Sequence, residues 1–187
     1  MSLRTWTTRD ILITAVLGIV LGLLATVVDY AYTTAGAALG PIASRTLIGI
    51  MLFTALFIPF VVRRPLAALI GMLIIGLVQI PFSPNGIFSL VVALMYGILV
   101  EVAFAITRYR RYDLLMLVVT AIVIGLIMVG ISYVPNGLHQ LAIGVQIGIL
   151  VGVAAVSALG GWLVPMAANA LAQAGALSGT ALDASVD

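Results

Sequence analysis

Asp29, Arg45, Glu101 and His139 are the ionisable side chains that fall in or beside the apolar runs of this chain, so any chemistry inside those runs rests on them. A carboxylate and a guanidinium near each other suit a polar ligand, and the forked guanidinium fits a phosphate. A glutamate inside an apolar run serves either proton or ion coupling or a structural bond, paired with an arginine or capping a neighbouring helix; the structural role is the preferred one here. His139 stands without nearby carboxylates or cysteines, which makes a poor metal site. No helix offers paired carboxylates, no histidines cluster, and no serine–histidine spacing supports a nucleophile, so no catalytic residue is assigned and no enzymatic activity is expected. The chain has neither cysteine nor lysine. Thiolate metal sites are excluded, as is a phosphate-binding P-loop, which needs a lysine. No cofactor or metal is expected, and ATP-driven work would need a separate ATPase chain.

The arginines are the other notable chemistry. "ITRYRRYD", residues 106–113, holds three of eight in four positions. A basic run interleaved with tyrosine either grips nucleic acid or anchors a helix end at the cytoplasmic face of a membrane. Composition decides for the anchor. The 187 residues are 64% hydrophobic and 7% charged, with mean hydropathy +1.32. A soluble surface needs about a quarter charged residues, so the solvent around most of this chain is lipid.

Six stretches approach the roughly 20 apolar residues needed to span the hydrocarbon layer: Ile11–Val28, Leu47–Val62, Leu66–Phe82, Ile87–Thr107, Leu114–Tyr133 and Leu141–Leu163. The expected fold is all-α, a polytopic six-helix bundle over 1–174, with a flexible cytoplasmic tail over 175–187. Arg4 and Arg9, then Arg63 and Arg64, then Arg108, Arg110 and Arg111 fall in alternate connections, which puts both termini in the cytoplasm. Glu101, Arg108, Arg110 and Arg111 are read as structural. At the outer side, "IPFSPNGIFSL" (80–90) and "ISYVPNGLHQL" (131–141) share a Pro-Asn-Gly core, a compact turn by its own chemistry.

Polar side chains collect toward that outer half. Tyr32, Gln79, Asn85, Tyr96, Asn136, Tyr133, His139, Gln140 and Gln146 suit a small polar-aromatic ligand, or bonds between helices. Asp29 is expected to end helix 1 and Arg45 to begin helix 2. Each then has the sign its helix end disfavours, so the two are expected to pair across the outer mouth, directly or through the ligand. Gly18 and Gly22 on helix 1, with Ala15 nearby, and Gly144, Gly148 and Gly152 on helix 6 mark close helix contacts. Internal packing is expected for helix 6.

The segment "LMYGILVEVAFAITRYRRYDLLMLV" (94–118) resembles the fourth and fifth helices of YkoE-type S components, the substrate-binding membrane subunits of energy-coupling factor (ECF) transporters. "VVDYAY", "LGP", "VVRRPLAAL", "SPNG" and "MAANALAQAGAL" match in order along nearly the whole chain. The resemblance implies an S-component-like bundle in a prokaryotic plasma membrane. It implies a scaffold membrane protein and a pair of cytoplasmic ATP-binding cassette ATPases as partners, and thiamine or its hydroxymethylpyrimidine precursor as ligand. It implies capture near the outer surface and docking through a small-residue face of helix 1, here Ala15, Gly18 and Gly22; by depth and residue type, Asp29, Tyr32, Arg45, Gln79, Asn85, Tyr96, Tyr133, His139 and Gln146 are the candidate ligand contacts. The chain departs from the family pattern at Arg45 and Gln79, where acidic residues are common, and at Tyr96, where glutamine is common. Fewer carboxylates disfavour cationic thiamine relative to a neutral pyrimidine or a phosphorylated relative. The competing reading is a stand-alone secondary transporter or channel for a small polar solute, coupled through Glu101 or Asp29.

Overall fold

The computed structural model describes residues 6–175. Arg4 and the expected tail beyond Gly175 lie outside them. The described chain forms six α-helices: α1 (Thr8–Thr46), α2 (Ile48–Val62), α3 (Ala67–Phe82), α4 (Phe88–Ile106), α5 (Leu114–Tyr133) and α6 (Ile143–Gln173), with one turn of 3₁₀ helix at Leu138–Gln140. Four of them, α1, α4, α5 and α6, are long and apolar enough to cross a bilayer. α2 has 15 residues and α3 has 16. α2 runs through the middle of the bundle and is buried on every side from Thr54 to Val62. A helix apolar all round belongs in such a place, where its neighbours rather than lipid set its length.

The largest departure from expectation is α1. The segment 29–46 is helical rather than a loop, so Asp29 lies within a helix and not at its end. From Thr8 to Leu39 the helix runs about 48 Å, against roughly 30 Å of hydrocarbon. It breaks at Gly40, whose backbone (φ 82°, ψ −175°) is one that a residue with Cβ rarely adopts, and Pro41 follows. The chain then folds back. Ser44 comes against Gly36, Ile42 packs on Gly148 and Thr46 on Gly152. This helical hairpin sets Arg45 over the ring of Tyr32, 5.5 Å from its centroid. The helix-end argument for pairing Asp29 with Arg45 therefore has no physical basis, because one helix passes through Asp29.

Gly18 and Gly22 face inward. A Cβ at Gly18 would lie 2.7 Å from the Ile74 side chain, and one at Gly22 would lie 2.8 Å from that of Val78. They let α1 and α3 approach closely, which corrects the expectation that they face a partner. Ala15 is half-buried beside them. The exposed face of α1 is aliphatic instead, with Leu12, Val16, Ile19, Leu23 and Val27.

At the arginine-rich end, three connections interlock. Asp10 caps α1 reciprocally with Thr7 and holds Arg64 at 2.9 Å. The Trp6 indole donates to the carbonyl of Pro65 at 3.1 Å. α3 begins at Leu66 in a left-handed conformation and has no capping side chain of its own. Glu101, reaching across from α4, accepts from the Leu66 and Ala68 amides at 2.6 and 3.1 Å and from the Tyr109 hydroxyl at 2.5 Å. Of the structural alternatives for Glu101, the geometry is that of the cap, and the negative charge suits a helix N-terminus. Arg63 lies over the rings of Phe60 and Tyr112, and Tyr112 stacks on Phe104. Arg108, Arg110 and Arg111 are exposed in the connection between α4 and α5.

Candidate substrate-binding cavity

A cavity of about 410 Å³ opens at the end of the bundle away from the arginine-rich loops, between α1 with its hairpin and the adjacent ends of α2, α3, α4 and α5. Its size is within the range of small-molecule sites. Both Pro-Asn-Gly turns are tight, closed by bonds from the Gly86 amide to the Ser83 carbonyl and from the Gly137 amide to the Val134 carbonyl. They bring Asn85 and Asn136 to the same rim. Four methionines, Met51, Met72, Met95 and Met128, line the interior. Their unbranched thioethers adapt to the outline of a ligand and make favourable contacts with aromatic rings.

Asp29 is the organised polar group. Its Oδ2 accepts from Gln79 Nε2 at 2.9 Å and from Ser83 Oγ at 2.7 Å. The Ser83 hydroxyl is itself held by Ser89 Oγ at 2.9 Å and by the Asn85 amide at 3.1 Å. An ionised carboxylate has about four acceptor sites, so two donors orient it and leave capacity for a ligand. Tyr96, 4% exposed, is the most deeply placed polar side chain after this group. Arg45 and Tyr32 also line it. Asp29 and Arg45 make no ion pair among the described residues, so the expectation of a direct pair is corrected: Gln79 and Ser83 hold the carboxylate instead.

Seven residues singled out from the sequence meet here: Asp29, Tyr32, Arg45, Gln79, Asn85, Tyr96 and Asn136. Tyr133, His139 and Gln146 do not line the cavity. The Tyr133 hydroxyl donates to Gln146 Oε1 at 2.6 Å, and the Gln146 amide donates to the Leu141 carbonyl at 2.7 Å. The His139 ring lies against that of Tyr133. Their polar atoms brace the connection between α5 and α6. Ser83, Ser89 and the methionines were not found from sequence. Ser83 carries the one signal that could have flagged it, the first position of a Pro-Asn-Gly turn, where a serine side chain bonds the backbone two residues on.

The sequence profile of the family described as "ABC-type cobalt transport system, permease component" matches residues 9–127, well over half of the chain. The chain belongs to this family. The permease chain is also 26% identical, over 113 residues, to the "Putative HMP/thiamine permease protein YkoE" of Bacillus subtilis (strain 168). That match covers 60% of this chain and 57% of the relative, so it spans little more than half of the relative's length. Among solved structures, one described as "Crystal structure of an S-component of ECF transporter" superposes with a TM-score of 0.87 at 26% identity, over 97% of this chain and 93% of the other. The resemblance carried by residues 94–118 is borne out by these matches. With its apolar spans, they make the permease chain a multi-pass protein of a prokaryotic plasma membrane and a transport component rather than an enzyme.

Proposed function

We propose that the permease chain is the substrate-capture subunit of an ECF-type importer, and that hydroxymethylpyrimidine or thiamine binds in the cavity around Asp29. The carrying observation is the Asp29 carboxylate, fixed by Gln79 and Ser83 in an otherwise largely apolar chamber. An aminopyrimidine presents N–H donors along one edge and an aromatic face on either side. The carboxylate suits the edge, while Tyr32, Tyr96 and the methionines suit the faces. The curated relative's name supports the same ligand class. Cobalt as cargo fits this chamber poorly. It offers one carboxylate among amides and hydroxyls, and no group of three or more His, Cys, Asp or Glu side chains converges among the described residues.

In this reading a scaffold membrane protein and partner ATPases supply the energy. The α1 surface left for a scaffold is the aliphatic face carrying Leu12, Val16, Ile19, Leu23 and Val27. Calorimetric titration of the purified chain with hydroxymethylpyrimidine, thiamine and cobalt ion tests the ligand assignment. Saturable binding of one of the two organic ligands, without cobalt binding, is expected; cobalt binding alone would overturn it.

A further inference from the structure

Arg45 is a cation without an anion. It lines the cavity, rests its guanidinium on the Tyr32 ring, and forms no hydrogen bond or ion pair with another described residue. Placing a guanidinium in an otherwise largely apolar chamber is costly unless an anion or water satisfies it. Asp29 does not serve: no ion pair joins it to Arg45 among the described residues, and Gln79 and Ser83 hold its carboxylate. The hairpin turned by Gly40 and Pro41, seated on Gly148 and Gly152 of α6, fixes where Arg45 stands. The contact with the Tyr32 ring restrains the guanidinium while leaving its N–H groups without an acceptor among the described residues. The cavity thus carries two charged groups: a carboxylate that accepts from N–H donors, and a planar five-donor cation.

We propose that Arg45 is a phosphate subsite and that the preferred ligand is an aminopyrimidine carrying a phosphomonoester. This rests on the reading of the cavity given above and narrows its substrate class. The amino edge meets Asp29, and the phosphate oxygens take the fork of Arg45 in the bidentate manner that guanidinium favours. The exposed Asn136 side chain on the same rim supplies a further donor. A lipid headgroup phosphate offers Arg45 the same chemistry from outside the cavity, and the test separates the two sources.

The full chain, in a lipid-free non-ionic detergent, is titrated with hydroxymethylpyrimidine and with its phosphomonoester at pH 7.5. The phosphomonoester is expected to bind about tenfold or more tightly, the scale of one added charge-assisted bidentate contact. Arg45→Gln should bring the ratio of the two affinities close to one, and Arg45→Lys should keep part of it. Measuring the ratio in each variant cancels a general loss of folding. A second test needs no variant: the advantage in the unaltered chain should shrink as pH falls through about 6, where the phosphate takes up its second proton. Binding of hydroxymethylpyrimidine with no preference for the ester overturns the phosphate subsite and leaves the proposed function standing. Binding of neither overturns the phosphate subsite, and overturns the proposed function as well if thiamine also fails to bind. An advantage that disappears when the chain is placed in nanodiscs of anionic phospholipid, but persists in phosphatidylcholine, also overturns it and assigns Arg45 to lipid headgroups.

Discussion

Glu101 shows how one side chain can substitute for a missing local signal. Left-handed Leu66 starts α3 without a cap, and the amides of Leu66 and Ala68 are satisfied from another helix. Leu66 is exposed, but the Ala68 amide is buried and the Tyr109 hydroxyl half-buried, and removing the acceptor of such donors costs about 1–3 kcal/mol. Glu101→Ala should therefore lower the melting temperature clearly, while ligand affinity stays within about threefold because the cavity lies at the other end of the bundle. Tyr109→Phe, which removes one of the three bonds, should be milder. Comparing thermal melts with titrations for both variants checks this. The same region predicts a response to alkali. Burial pushes the Tyr112 phenol up to about 12, opposed by Arg63 and reinforced by Glu101. The unfolded phenol ionises near its ordinary value of about 10, so its contribution is complete below that pH and is lost as pH rises toward about 12. Melting temperature should fall over that window, and Tyr112→Phe should flatten the fall. An equal alkaline slope in both chains would contradict the assignment.

At the scale of elements, close approach of α1 and α3 is what joins the two halves of the Asp29 network, since Asp29 belongs to α1 and Gln79 to α3. Gly18→Leu would drive a side chain into Ile74, and overpacking of this kind costs typically about 1–3 kcal/mol. Stability and ligand binding should fall together, as read by melting temperature and calorimetry. Loss of partner assembly with binding intact would return Gly18 to an outward role. The sequence made a close contact at Gly18 and Gly22 legible, but not which helix fills it, because the spacing records only that something comes near. The six apolar runs were legible for the same elementary reason that they span: lipid demands them, and arginines mark their ends. The hairpin at Gly40 was not. Residues 29–46 are small and weakly polar, which reads as a loop, yet their alanines favour helix and α6 glycines receive them. Seven cavity residues could be named from depth alone, whereas Tyr133, His139 and Gln146 lie at similar depth around another contact. Depth along a helix was readable; direction around it was not.

At the scale of the molecule, polarity is divided between two ends. One carries Arg9 at the start of α1 and Arg63, Arg64, Arg108, Arg110 and Arg111 in its connections, and the other carries the cavity with Arg45. The positive-inside rule then predicts that the cavity opens outward. With no native cysteine to interfere, Asn136→Cys in whole cells should react with a membrane-impermeant maleimide, and Arg111→Cys should react only after lysis. The opposite pattern would invert the topology and with it the direction of capture. The central claim, that this cavity captures a pyrimidine at Asp29, is tested most directly by native mass spectrometry of the chain purified from cells grown with hydroxymethylpyrimidine. The account predicts a bound species of pyrimidine or pyrimidine-phosphate mass on the unaltered chain and its loss from Asp29→Asn. An empty unaltered chain, or equal occupancy of both, would contradict it.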